Sequence, residues 1–331
     1  MSNSQSRFGC LGVSIVLLLC LSLLFNVAFL VGGFLGMMGD ELKFRETVLV
    51  KPAKGVETKI AVISIRGLIS GYMRGAVGES MVEDVKLELE QALADNSVRA
   101  IVLAVDSPGG EVTASDIIYE AVKKADEKKP VVVSMGAVAA SGGYYISMGA
   151  RHVFAHETTI TGSIGVIMQT LNYSELLGKV GVQMVTLKSG KFKDVLSGSR
   201  AITPEEQELM QANIMQTYAR FVGIVAKRRN LPEAELRAGM ADGRPLSGRD
   251  AVNAKLVDEV GDFEDAVAKA VQLGSAPGAA VVRYQATPGL GLALRLLGQQ
   301  KQQNIEVKLA SPAQLDLRPG YQYLLPSWLA Q

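Results

Sequence analysis

Blocks of apolar and polar positions alternate along the chain in a way that predicts strands and helices in turn. Near-continuous apolar runs at 60–65, 100–105 and 131–133 are typical of buried parallel strands. Between them, residues 81–94 and 116–129 carry apolar side chains at helical spacing. This alternation predicts an α/β core with right-handed crossovers.

The same pattern continues towards the C-terminus. We expect helices at 141–148, 204–229, 247–254 and 263–273 and strands at 152–155 and 165–168. The long helix has a clear start, because Thr203 is suited to cap it, Pro204 suits its first position and Glu206 follows three residues after the cap.

The first apolar run, residues 8–38, contains no charged side chain and exceeds the roughly 20 residues that span a bilayer. A cleaved signal peptide would have a shorter apolar region of about 7–15 residues. A lipoprotein signal fits badly, because Leu19 rather than a small residue precedes Cys20. We expect a cytoplasmic N-terminus at 1–7, a retained transmembrane anchor at 8–38 and a charged linker at 39–58.

The remainder of the chain divides at the run Ser275-Ala276-Pro277-Gly278, which reads as a boundary. We therefore expect a catalytic domain at 59–275 and a C-terminal tail at 276–331. Arg7 precedes the anchor, whereas Lys43, Arg45, Lys51 and Lys54 follow it beside Asp40 and Glu41, so the positive-inside rule would, if anything, favour a cytoplasmic body. A net charge of +1 and the lack of a long basic block argue against a nucleic-acid partner.

Two predicted strands are each followed by a pair of glycines. Asp106–Gly110 follows one strand, and Ser141–Gly143 follows the next. Such glycines let backbone N–H groups face a ligand, so the amides of Gly110 and Gly142 could form an oxyanion hole beside a nucleophilic Ser141. Each motif taken alone also fits a tight turn or a helix cap.

The base for such a serine is not a clear histidine, because the chain has only two. A lysine can serve if its pKa falls by about three units, a cost on the order of 4 kcal/mol. Lys188, Lys191 and Lys193 are equal candidates on this reasoning, and Ser163 could hold the amine. His152 and His156 lie four residues apart in a run that reads as a strand, whereas this spacing suggests a metal site only on a helix. No third ligand is evident, so we expect no metal and no cofactor.

Four motifs in order resemble the bacterial signal peptide peptidase A family in its short form. They are Asp106–Gly110, Ala140–Tyr145, Thr161–Val166, and Lys188-Ser189-Gly190 followed by Lys193-Asp194. The likeness runs from about residue 59 to 273. It implies the spiral α/β fold of the Clp protease/crotonase superfamily, behind an N-terminal transmembrane helix.

The resemblance also implies roles for individual residues. Ser141 would be the nucleophile, and Lys193 the general base, because the lysine of the family precedes an aspartate in this motif. Ser163 would hydrogen-bond that lysine. Gly110 and Gly142 would be the oxyanion donors, with Gly109 as the alternative to Gly110. The chain departs from the family pattern at Lys191-Phe192, between Gly190 and Lys193.

The implied function is that of a membrane-anchored serine endopeptidase that degrades remnant signal peptides after signal peptidase has released them. Its partners would be extended apolar peptides, the membrane and further copies of itself in a ring-like oligomer such as an octamer. The catalytic domain would face the outside of the bacterial cytoplasmic membrane.

Two rival functions compete with this interpretation: a non-catalytic peptide-binding membrane scaffold of the same fold, and a crotonase-type acyl-thioester enzyme. The apolar segment Tyr321–Leu329 could lie in the substrate groove or pack in an oligomer.

Overall fold

The computed structural model describes residues 21–27, 44–71 and 80–285, and the backbone of 322–324. Residues 21–27, inside the predicted anchor, are helical, and the rest of 8–38 lies outside the described residues. Within the described part, no helix combines the length and apolarity needed to cross a bilayer. Contacts divide the chain into two units, Met1–Lys43 and Phe44–Gln331, and the second contains the sheet and its helices.

The strands are β1 (Arg45–Val50), β2 (Lys59–Arg66), β3 (Val98–Ser107), β4 (Gly109–Glu111), β5 (Val131–Ala140), β6 (His152–Ala155), β7 (Ile160–Gly162), β8 (Pro245–Ser247), β9 (Glu259–Val260), β10 (Ala280–Gln285) and β11 (Gln322–Leu324). The helices are α1 (Met81–Ala94), α2 (Val112–Lys128), α3 (Gly142–Ser147), α4 (Ser174–Lys179), α5 (Pro204–Arg229), α6 (Glu233–Ala238), α7 (Gly248–Asn253) and α8 (Phe263–Leu273).

One mixed sheet organises the unit, with strand order β1-β10-β2-β3-β5-β6-β9. Its pairs are parallel except for β1, which runs antiparallel to β10 at the edge. A short extension places β7 parallel to β5 and β8 antiparallel to β7. Strands β4 and β11 form a separate antiparallel pair.

Both faces of the central strands are covered, which explains their continuous apolar sequences. Ile101 and Leu103 of β3 face the larger core, which α1 and α2 also line. Val102, between them, faces the opposite core with Ala266 and Ala270 of α8. Successive side chains of a strand point to opposite faces of the sheet. A strand is therefore apolar at every position only when both of its faces are buried. The α/β prediction and the bounds of α1, α5 and α8 are confirmed.

The domain is wider at both ends than the sequence predicted. Strand β1 lies inside the range 39–58 expected to be a linker, and strand β10 lies beyond the boundary expected at 275. The sequence pattern does not predict β1, because it is an edge strand with mostly exposed side chains and its apolar signal is therefore weak. β10 follows a Pro-Gly turn that reads as the end of a domain.

The strand predicted at 165–168 does not form. Strand β7 ends at Gly162, which has φ +71°, and Ser163 follows with φ 51°. Two successive residues with positive φ turn the chain out of the extended conformation. The apolar residues at 165–168 therefore leave the sheet instead of extending it.

Candidate active site

Ser141 lies where β5 ends and α3 begins, in a backbone conformation that side chains rarely adopt. Its φ and ψ are 53° and −112°, and its N–H donates to Gly162 O at 2.9 Å. The residue is only 1% exposed, and within the described part of the chain its Oγ has no hydrogen-bond partner. A strained, buried and unpaired hydroxyl is costly to hold, which is typical of a functional position.

The two glycine motifs meet beside Ser141. A Cβ added to Gly142 would lie 3.1 Å from Gly109 Cα, 3.1 Å from Gly110 N and 2.6 Å from Ser115 Oγ. A Cβ on Gly110 would overlap the backbone carbonyl of Ile69. Both positions therefore need glycine for close approach of one backbone to another.

The peptide between Gly109 and Gly110 fixes which amide faces the site. Ile69 N–H donates to Gly109 O at 2.9 Å, and Gly109 N–H donates to Ser107 Oγ at 3.1 Å. Because N–H and C=O point in opposite directions across a trans peptide, Gly110 N–H points away from Ile69. The Gly110 amide thus suits an oxyanion, whereas the Gly109 amide is already used.

Ser163 follows the strand next to that of Ser141. β5 and β7 are parallel, with Ala140 paired to Gly162, so the two serines leave the same ends of neighbouring strands. Ser163 is 4% exposed, and its N–H donates to Arg244 O at 2.9 Å. The structure thus places Ser141 and Ser163 at the same ends of neighbouring strands, and Gly110 close to Gly142.

The three candidate lysines differ in their partners. Lys188 Nζ pairs with Asp194 Oδ1 at 2.6 Å, and Lys191 pairs with Glu205. Lys193 Nζ makes no ion pair with any described residue. Among the three, Lys193 is therefore the one whose amine no described carboxylate occupies.

Within the described part of the chain, Lys193 makes no hydrogen bond with Ser141. The residue is exposed, whereas Ser141 Oγ is buried and has no partner in the described part. The segment before Lys193 also exposes many apolar side chains, among them Leu171, Leu176, Val180, Val182, Met184, Val185 and Leu187. Such a surface is typical of an interface with another protein.

Strand β11 from the C-terminal tail lies along the outer edge of β4. Their antiparallel register pairs Tyr323 with Gly110 and Leu324 with Gly109. Ile69 occupies the other edge of β4. An extended segment can therefore add to β4 as a strand, directly beside the glycine amides.

A hydrogen-bond network that no sequence motif indicated holds α3 in place. Tyr145 OH donates to Asp116 Oδ1 at 2.6 Å, and Arg220 Nη2 donates to the same oxygen at 2.7 Å. These contacts tie α3 to α2 and α5. Their residues lie 29 and 104 positions apart, so no local spacing could reveal them.

Comparisons with known proteins agree with this architecture. A family model described as Peptidase family S49 matches residues 123–276, and one described as Clp protease matches residues 71–163. A putative protease of Synechocystis is 43% identical over 208 residues, which cover 63% of this chain and 72% of that protein. A putative signal peptide peptidase of Enterococcus faecium is 38% identical over 236 residues, 69% of this chain and 67% of that protein. Protease 4 of Salmonella typhi is 39% identical over 221 residues, 65% of this chain but 34% of that longer protein.

Proposed function

This chain belongs to peptidase family S49 and is a serine peptidase, and we propose that it degrades remnant signal peptides after signal peptidase has released them. The observation that carries the proposal is Ser141, a strained and buried serine beside the amides of Gly110 and Gly142, whose Oγ has no hydrogen-bond partner among the residues that the structure describes. A tetrahedral intermediate on Ser141 would place its oxyanion against those amides.

The catalytic cycle follows from these groups. Neutral Lys193 takes the proton of Ser141 as Oγ attacks a peptide carbonyl, and Ser163 holds the lysine amine. Gly110 and Gly142 stabilise the oxyanion. Lys193 then protonates the leaving amine, and water, deprotonated by the same lysine, hydrolyses the acyl-enzyme.

Each active site combines two copies of the chain. Ser141 Oγ is buried and no described residue hydrogen-bonds it, whereas Lys193 is exposed beside a segment rich in exposed apolar side chains. A neighbouring copy would cover that segment and bring its own Lys193 to Ser141. A head-to-tail contact of this kind closes into a ring, in keeping with the octamer-like assembly that the family resemblance implies.

The substrate binds as an extended strand. The edge of β4 that β11 occupies accepts an antiparallel segment next to Gly110, and main-chain hydrogen bonds there are indifferent to sequence. Apolar side chains of a signal peptide would supply the rest of the affinity.

We place the catalytic unit on the extracytoplasmic side of the bacterial cytoplasmic membrane, held by a single span at 8–38. Protease added to spheroplasts should then digest it.

The decisive experiment uses the full chain in detergent with an apolar fluorogenic peptide. Ser141→Ala and Lys193→Ala should each abolish hydrolysis while the oligomer persists. Co-assembly of the two inactive chains in equal amounts should restore roughly a quarter of the parent activity, because one in four neighbouring pairs then supplies both groups. Activity in Ser141→Ala alone would overturn the assignment of the nucleophile, and an inactive mixed oligomer would overturn the shared site.

A further inference from the structure

Lys193 lies in a turn that one carboxylate fastens to its surroundings. The turn spans residues 191–196, and Asp194 follows the lysine directly. The Asp194 side chain is only 11% exposed. Its two oxygens accept hydrogen bonds from Arg200 Nε at 3.0 Å and Arg200 Nη2 at 2.8 Å. This two-point contact fixes the orientation of the turn as well as its distance from Arg200.

The same guanidinium also binds the first turn of α5. Arg200 Nη1 donates to Glu206 Oε2 at 2.8 Å, and the Glu206 side chain is 3% exposed. Glu206 is itself held by the capping box, because Thr203 N–H donates to Glu206 Oε2 at 2.9 Å. One arginine thus joins the lysine turn to the capped end of the 26-residue helix α5.

The charges of this cluster persist through the neutral pH range. The hydrogen bonds from Arg200 lower the pKa of the Glu206 carboxyl to about 2 and hold the pKa of Asp194 well below its usual range. Lys188 adds a second cation at Asp194, and the Lys191–Glu205 pair lies alongside. The cluster therefore stays ionised wherever a neutral lysine base can work.

We propose that Arg200 is a positioning residue that holds the Lys193 turn against α5, so that the lysine amine is delivered to Ser141 at a fixed geometry. This inference rests on the proposed role of Lys193 as general base. A misplacement of the amine by about 1 Å costs up to roughly 100-fold in rate. The substrate edge at β4 is a separate part of the site, so peptide binding should not depend on Arg200.

The test compares Arg200→Gln, Arg200→Lys and the control Arg249→Gln, which removes an exposed pair with Glu157. We expect Arg200→Gln to lower kcat by roughly 10-fold to 100-fold with KM unchanged. Arg200→Lys should recover only part of the loss, because an ammonium cannot grip both carboxylates. The control should match the parent enzyme.

The pH profile separates positioning from a general structural role. Loss of the Arg200 charge leaves Asp194 and Glu206 less neutralised, which favours protonated Lys193. The rising limb of kcat/KM against pH should then move to higher pH. Asp194→Asn removes a negative charge instead, so its limb should move to lower pH while kcat still falls.

Parallel measurement of Lys193→Ala distinguishes the two proposals. Activity in Lys193→Ala would overturn the base, and the role of Arg200 with it. An inactive Lys193→Ala beside an Arg200→Gln enzyme with parent kcat and parent pH limb would overturn only the role of Arg200. If Arg200→Gln fails to assemble, Asp194→Asn decides, because it frees the turn but keeps the Arg200–Glu206 pair: a parent kcat there would overturn the proposal.

Discussion

Two serines of this site have positive backbone φ angles, which residues with a side chain rarely adopt. Ser141 has φ 53° and Ser163 has φ 51°, and both directly follow paired ends of neighbouring strands. A residue other than glycine in such a conformation costs on the order of 1–3 kcal/mol, which the surrounding sheet must offset. The fold is therefore less stable with serine at these positions than it would be with glycine, which adopts positive φ without strain.

Ser141→Gly should therefore stabilise the protein while abolishing activity. We expect its free energy of unfolding to rise by roughly 1 kcal/mol, because glycine adopts positive φ without strain. Ser141→Ala, equally inactive, keeps the strain and serves as the control. Thermal unfolding of the two variants measures the difference. Equal melting temperatures would show that the conformation at this position stores no strain.

The residues of the site were predictable to different degrees. Ser141, Gly110 and Gly142 follow strand ends, and neighbouring parallel strands bring such positions together, so the sequence was enough to group them. The partnership of Arg200 with Asp194 and Glu206 was not predictable, because Asp194 and Arg200 lie in irregular chain, where no periodicity marks a contact. The position of Lys193 relative to Ser141 depends on tertiary placement, which motif order does not encode.

At the scale of elements, the three-residue strand β4 has two different edges. One is closed by Ile69, and the other accepts β11 from the tail. A peptide substrate and the tail would occupy the same edge of β4, opposite Gly109 and Gly110. The tail segment is therefore a competitor for the substrate edge, present at the high effective concentration of a tethered ligand.

Truncation after Gly320 should raise kcat/KM towards added peptides, chiefly through a lower KM. A chain ending at Leu325 keeps residues 322–324 and should behave like the parent. Peptidase kinetics and the size of the oligomer are measured for both. If truncation after Gly320 changed neither the rate nor the assembly, the tail would have no role at the groove and none in packing.

Elements with both faces buried, or with caps, were the easiest to predict from sequence. β3 and α5 fall in this class, since a continuous apolar run and a capping box are local signals. β1 was missed because an exposed edge strand is recognised by its partner β10, which lies more than 200 residues later. The strand expected at 165–168 failed because two positive-φ residues precede it.

At the scale of the whole molecule, helix α1 buries a carboxyl oxygen for which the described part of the chain supplies no hydrogen-bond partner. The Oε2 atom of Glu88 in α1 is buried, and no described residue hydrogen-bonds it. The hydroxyl of Tyr284 is likewise buried without a hydrogen-bond partner among the described residues. Burial, followed by repulsion from Asp84, raises the pKa of Glu88 to about 8. The folded protein therefore favours the neutral acid.

Stability should decline as pH rises from about 4.5 to about 8, the interval between the unfolded and the folded pKa of Glu88. Because its folded pKa lies above its unfolded value, the contribution is complete below about pH 4.5 and lost above about pH 8. Glu88→Gln should flatten this decline and exceed the parent by a few kcal/mol, on the order expected from the shift, at pH 9. The exposed Glu90→Gln on the same helix is the control. Parallel curves for parent and Glu88→Gln, from denaturant unfolding at several pH values, would contradict the assignment.

Helix α5 sets a length constraint on the chain. Its 26 residues rise about 1.5 Å each, and every added residue also turns the helix by about 100°. A loop between the core and the lysine turn could gain or lose residues with little effect. In a rigid helix, each inserted or deleted residue shifts and rotates the segments attached to its ends, including the lysine turn. Among natural variants of this protein, insertions should thus accumulate in loops and be absent from α5, where only substitutions preserve the span.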